Sequence, residues 1–213
     1  MDNNEMHEQI VKTRGQLADS VLSYWNQFSD FTTWQFWYIA ALFVIPLATL
    51  AFTVDRRRIL ELFFFGYSVH MLWAYVDIAL ERRLLLINKY FLIPVLPFGF
   101  TLASSTFPVA YILLYQYCMK RNKSFPLFSI GLGVLLAFGF IPITEYIGIL
   151  EMRRGMNLFY LFLITIAIPY LAYGMTKLAL AAQRSSKSGG EEEAQYDRFD
   201  FKDLFSRRSK ARN

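Results

Sequence analysis

Four stretches of this chain are long and apolar enough to cross a lipid bilayer, and no other property constrains its fold as much. A helix needs about 20 residues to cover a hydrocarbon core about 30 Å thick. Phe31 to Val54 carries no charge, and Ile59 to Leu80, Ser124 to Leu150 and Met156 to Ala182 are the other three windows. Of the 213 residues 55% are hydrophobic and 18% charged, too little polar surface to cover 21 Phe and 13 Tyr in water. These proportions exclude a disordered chain, and a single cysteine, Cys118, excludes an internal disulfide framework. A formal charge of +5 suggests nucleic acid in a soluble protein, but here the bases cluster between apolar runs, so no nucleic-acid partner is expected.

The first eight residues are polar and acidic, so no cleaved signal peptide is expected and the first span serves as its own insertion signal. Thr32 followed by Gln35 predicts a capping box at its start, and Asp55-Arg-Arg-Arg58 closes it. Leu84 to Met119 is the difficult stretch, because Pro94, Pro97 and Pro108 interrupt its helical pattern. Two crossings there leave too few residues for the second, which favours one span over Phe100 to Met119 and an irregular segment over Tyr90 to Gly99. The distribution of basic residues points the other way. Five spans place nine bases (Arg56 to Arg58, Lys120, Arg121, Lys123, Lys177, Arg184, Lys187) against seven (Lys12, Arg14, Arg82, Arg83, Lys89, Arg153, Arg154), whereas six spans give eleven against five. Length outweighs the statistical charge rule, because a short helix carries a direct mismatch cost.

Ahead of the first span, Leu17, Val21, Tyr24, Trp25 and Phe28 recur at helical spacing and read as an amphipathic helix on the membrane, with Trp25, Trp34, Trp37 and Tyr38 as an interfacial belt. After the last span the chain turns to Ser, Gly and charge, with an acidic aromatic run over Tyr196 to Phe205 and a basic end, the composition of a solvated tail able to meet a protein partner or anionic lipid. The expected fold is an all-α integral membrane bundle of five transmembrane helices, six being the alternative. Residues 1–30 form the interfacial segment, 31–182 the helical domain and 183–213 a flexible charged tail, with the lipid bilayer as the principal partner.

Ionisable residues inside a bilayer are costly and therefore functional candidates. His70 and Asp77, seven residues apart, share one face of the second span at heights about 10 Å apart. Glu145 falls at a depth similar to Asp77 in the five-span arrangement, and Gln116 lies near the cytoplasmic end of the third span. Two nearby carboxylates cannot both ionise freely, which is how proton and cation sites are built. The competing reading is structural: Arg82, Arg83, Arg153 and Arg154 neutralise these acids from the adjacent loops, and His70 is a packing residue. No catalytic, metal or cofactor set is expected, since the two histidines lie far apart and Ser104-Ser105-Thr106 has no neighbouring base. Gly131, Gly133 and Gly139 are small-residue positions for close helix packing.

Asp55-Arg-Arg-Arg58, Phe65-Gly-Tyr67, His70-Met-Leu-Trp-Ala-Tyr-Val-Asp77, Tyr90-Phe-Leu-Ile-Pro94, Pro108-Val and Tyr115-Gln-Tyr117, with the late Glu145, follow in an order that resembles an uncharacterised family of multi-pass membrane proteins from spore-forming Gram-positive bacteria. The resemblance covers roughly residues 35 to 180. It implies an integral protein of the bacterial cytoplasmic membrane and brings no biochemical activity with it. The expected function is a non-catalytic scaffold or sensor subunit. The alternatives are a proton or small-cation carrier using the intramembrane carboxylates, and a membrane enzyme acting on lipid or isoprenoid substrates, which predicts a lateral opening beside Asp77.

Overall fold

The computed structural model describes the backbone of residues 2–210 and the side chains of residues 2–183 and 185. The linker, acidic aromatic run and basic end expected beyond residue 183 lie outside those described side chains. Residues 1–172 form one compact unit and 173–213 a second.

An all-α helical bundle is observed. Its elements in chain order are α1 (Asn3–Tyr24), α2 (Trp34–Thr53), α3 (Ile59–Arg82), β1 (Leu86–Asn88), α4 (Phe107–Arg121), α5 (Phe125–Leu135), α6 (Ile141–Tyr146), β2 (Leu150–Met152) and α7 (Leu158–Lys210). Four helices are long and apolar enough to cross a membrane: Trp34–Thr53, Arg56–Arg82, Phe125–Tyr146 and Leu158–Gln183. They mark the chain as a membrane protein. Three helical runs contain a widened π turn: Trp25–Ser29 at the end of α1, and, inside the bundle, Leu102–Thr106 ahead of α4 and Leu136–Phe140 between α5 and α6. Each of the latter two is followed closely by a proline, Pro108 or Pro142, whose ring has no N–H to donate and clashes with the preceding turn, so the helix widens there instead of breaking.

The 100–121 helix is the centre of the larger unit. Eight residues of α4 are buried, whereas α2 buries only Ile39, leaving its apolar surface outward as a lipid-facing helix does. Polar content explains why this central helix is the one that falls outside the four: Ser104, Ser105, Thr106 and Gln116 dilute its hydropathy, and each is turned toward protein or packed within it. Hydrogen bonds give the directions. Residues 42 and 43 of α2 meet 106 and 105, and residue 53 meets 116, so α2 and α4 run parallel. α3 runs against them, with Glu81 at Phe98, His70 at Ala103 and Glu61 at Tyr115. Gly66 lets α3 and α4 approach closely, since a Cβ there would overlap the Ile112 side chain. Of the glycines expected to serve this purpose, Gly133 does face Ile166 and Thr165, while Gly131 has nothing beside it and Gly139 meets only its own helix.

The 84–99 segment leaves α3 and enters the 100–121 helix at the same end of the bundle, and it contains no helix. Its ordered part is β1, which pairs antiparallel with β2 (Leu86 with Met152, Asn88 with Leu150) to make a two-stranded ribbon. Two details differ from the sequence expectation. The cap of α2 is Thr33, whose Oγ1 accepts from Phe36 N at 3.4 Å, because Thr32 instead donates to Asp30. The amphipathic helix begins far earlier, at Asn3, where Asp2 and Glu5 form a capping box; Met6, Ile10 and Leu17 continue its apolar stripe, all exposed.

Candidate functional site

A proline inside a helix strips a partner from a backbone carbonyl, and for Pro46, Pro108 and Pro169 a polar side chain supplies the missing donor. Pro46 cannot donate to Leu42, and the Thr106 hydroxyl does so from across the bundle, Oγ1 to the Leu42 oxygen at 2.9 Å. Beside it Ser105 donates to the Phe43 oxygen at 2.6 Å. Pro169 likewise frees the Thr165 carbonyl, which accepts from the hydroxyl of fully buried Tyr111 at 2.6 Å.

His70 belongs to the same set. In the π turn the Phe107 amide donates five residues back, to Leu102. The next carbonyl, Ala103, would take the amide of residue 108, which is proline. His70 Nδ1 lies 3.0 Å from the Ala103 oxygen. A carbonyl only accepts, so Nδ1 is the donor in this contact.

Asp77 and Gln116 act at helix ends. Asp77, buried, accepts from the Gly99 amide, and Glu81, one turn further along α3, accepts from Phe98 N at 3.3 Å. The two carboxylates thus engage the amides that lead into the 100–121 helix, where the orphan donors and the helix dipole favour negative charge. Gly99 is required by that approach, because a Cβ on it would overlap the Asp77 carboxylate. Gln116 closes α2: its Nε2 donates to the Thr53 oxygen at 3.0 Å and its Oε1 accepts from Asp55 N at 2.7 Å.

The structure therefore does not gather the four expected residues into one site. The acid beside Asp77 is Glu81. Glu145, half-buried near the end of α6, has no side-chain partner among the described residues. Of the loop arginines Arg153 forms an ion pair at this end, but with a different acid: Glu151 of β2 is bridged by Arg153 and by Lys89, at 2.9 Å for the latter. The hydrogen bonds from Arg153 and Lys89 pull the Glu151 carboxyl down to about 2 from an ordinary 4.5. Among the described residues, no three His, Cys, Asp or Glu side chains converge as a metal set.

Several residues that do this work were not singled out by sequence: Thr106, Tyr111, Ser105 and Glu81. A signal for two of them, Thr106 and Tyr111, exists, since each proline inside a span implies a donor for the carbonyl four or five residues before it, but the sequence does not say which helix supplies it. The lateral opening also differs in place. It is a groove of about 370 Å³ between α2, α3 and α4 beside His70, and Asp77 is not on its wall. No family model matches the chain, and neither a curated protein nor a solved structure matches it.

Proposed function

We propose that the protein is a non-catalytic scaffold or sensor subunit of the bacterial cytoplasmic membrane, which it crosses five times with the 100–121 helix as its central span. The observation that carries this reading is that His70, Asp77 and Gln116, with Thr106 and Tyr111, spend their hydrogen-bonding capacity on backbone groups of neighbouring segments. A carrier needs such groups open to its ion, and these are engaged in holding helices to one another. The fifth span is supported by 22 helical residues at about 1.5 Å each, about 33 Å in all, and by the return of 84–99 to the end where it began. The choice of membrane follows the motif resemblance. Lipid is the partner of the helical body, and the tail beyond residue 183 is assigned to a protein partner or anionic lipid.

Two measurements test this. In vesicles carrying a pH-sensitive dye, an imposed gradient should decay at the protein-free rate; decay that Asp77→Asn or Glu145→Gln abolishes would establish the carrier instead. Second, Tyr111→Phe should lower unfolding stability by about 1–3 kcal/mol in detergent, because it leaves the Thr165 carbonyl buried and bare. In a Pro169→Ala background the cost should shrink, since the restored amide at 169 takes over that carbonyl. Equal costs in both backgrounds would remove the structural role.

A further inference from the structure

The groove between α2, α3 and α4 is apolar over most of its length, with Leu50 and Val54 on one wall and Ile59 and Leu62 on the other. Its rim is open, because Leu47, Ile59, Phe63 and Tyr67 are exposed. The lining turns polar only at its inner end, where Tyr67, His70 and Ser104 stand, and the Ser104 hydroxyl is buried without a partner. From Ile59 to His70 the wall rises about 16 Å at 1.5 Å per residue, half of a hydrocarbon core and therefore the depth of one leaflet.

At the outer end the chain passes from Val54 to Ile59 through Asp55-Arg56-Arg57-Arg58, so the arginine turn joins two lining residues and forms the mouth. Among the described residues its charge is not fully neutralised. Asp55 pairs with Lys120 at 3.8 Å and accepts from the Arg57 amide, and Arg58 reaches Met119. Arg56 and Arg57 are exposed and have no carboxylate partner among the described residues.

An apolar slot one leaflet deep, with two guanidinium groups that have no carboxylate partner among the described residues at the level where it opens, is complementary to a molecule with one negative head and an alkyl chain. We propose that this groove binds an anionic phospholipid, one acyl chain lying between α2 and α3 and its phosphate held by Arg56 and Arg57. A helix of a second copy does not complement it, since 370 Å³ admits a chain and not a helix about 10 Å wide. The inference depends on membrane placement only, and it stands or falls separately from the scaffold reading.

The test uses the full chain in phosphatidylcholine nanodiscs containing a trace of phospholipid with a photoreactive acyl chain, as phosphatidylglycerol or as phosphatidylcholine, with adducts mapped by mass spectrometry. Phosphatidylglycerol should label the groove walls at Leu50 and Leu62 well above phosphatidylcholine, by roughly thirtyfold for two basic residues. The Arg56→Gln/Arg57→Gln pair should remove that excess and leave residual labelling by both lipids. Ala51→Trp, at an exposed lining position, should fill the slot and remove groove adducts without unfolding the protein. Equal labelling by the two lipids, an excess that survives the arginine substitutions, or groove adducts that survive Ala51→Trp would each overturn the proposal.

Discussion

At the end of the bundle where α3 finishes, the acids Asp77, Glu81 and Glu151 all have partners, the first two on the amides of Gly99 and Phe98 and the third between Lys89 and Arg153. At the opposite end it is the bases that are left over: Asp55 is taken by Lys120, a neutral Gln116 closes α2, and Arg56 and Arg57 face outward. The ribbon end is bonded to itself. Its β1–β2 pairing, with Trp25 and Ser29 donating to the Phe91 carbonyl, ties the loops and the start of the membrane domain into one piece. The arginine end offers positive charge to whatever lies beside it, which is where an anionic surface is worth most. The paired ribbon acids and the outward-facing Arg56 and Arg57 thus lie at opposite ends of the helices.

The largest expected effect that probes this contrast is at the ribbon end. Gly99→Ala places a Cβ onto the Asp77 carboxylate and pushes it off the amide, at a cost of about 3 kcal/mol, read as a lower unfolding midpoint in detergent. A midpoint within experimental error of the parent would mean the carboxylate cap is not needed there. Next is Gln116→Leu at the arginine end, which deprives Thr53 and Asp55 of their partners; about 2 kcal/mol is expected, because both groups are half shielded by the helices around them. By contrast Arg56→Gln with Arg57→Gln should leave the lipid-free unfolding midpoint unchanged, and a clear fall would show that these charges are internal after all.

The smallest effect is electrostatic. Glu151 has a folded pKa of about 2 against an ordinary 4.5, so its contribution is present above about 4.5 and is lost as the pH falls toward 2. In Glu151→Gln that part of the pH dependence should disappear, and high salt should reduce it in the parent, as expected for an exposed pair. A variant that keeps the parental acid sensitivity between 4.5 and 2 would place the titration on another group.

Much of the architecture was legible in the residues. Length and apolarity delimit four helices to within a few positions, Phe100 to Met119 matches a helix over 100–121, and the irregular run ahead of it follows from Pro94 and Pro97. The site was less legible. His70 and Asp77 share a helical face and were read as one surface, yet His70 answers a carbonyl orphaned by Pro108 while Asp77 answers the amides of a helix start. Thr106 reads in the sequence only as part of a hydroxyl run without a base, and Tyr111 carries no charge, though their partners are set by Pro46 and Pro169 in other helices.

The sequence by itself determined that this chain belongs in lipid, roughly where its four most apolar helices lie, and that a proline within such a helix leaves a carbonyl in need of a donor, because burial of apolar area and backbone hydrogen bonding depend on residue type and local order. Only the tertiary structure decided which side chain answers which carbonyl, that the acids divide between amide caps and an ion-paired ribbon, and that an open groove runs down from the arginine turn. Those outcomes depend on how helices distant in sequence are juxtaposed, and a donor 2.6 Å from its acceptor can be 54 residues away along the chain.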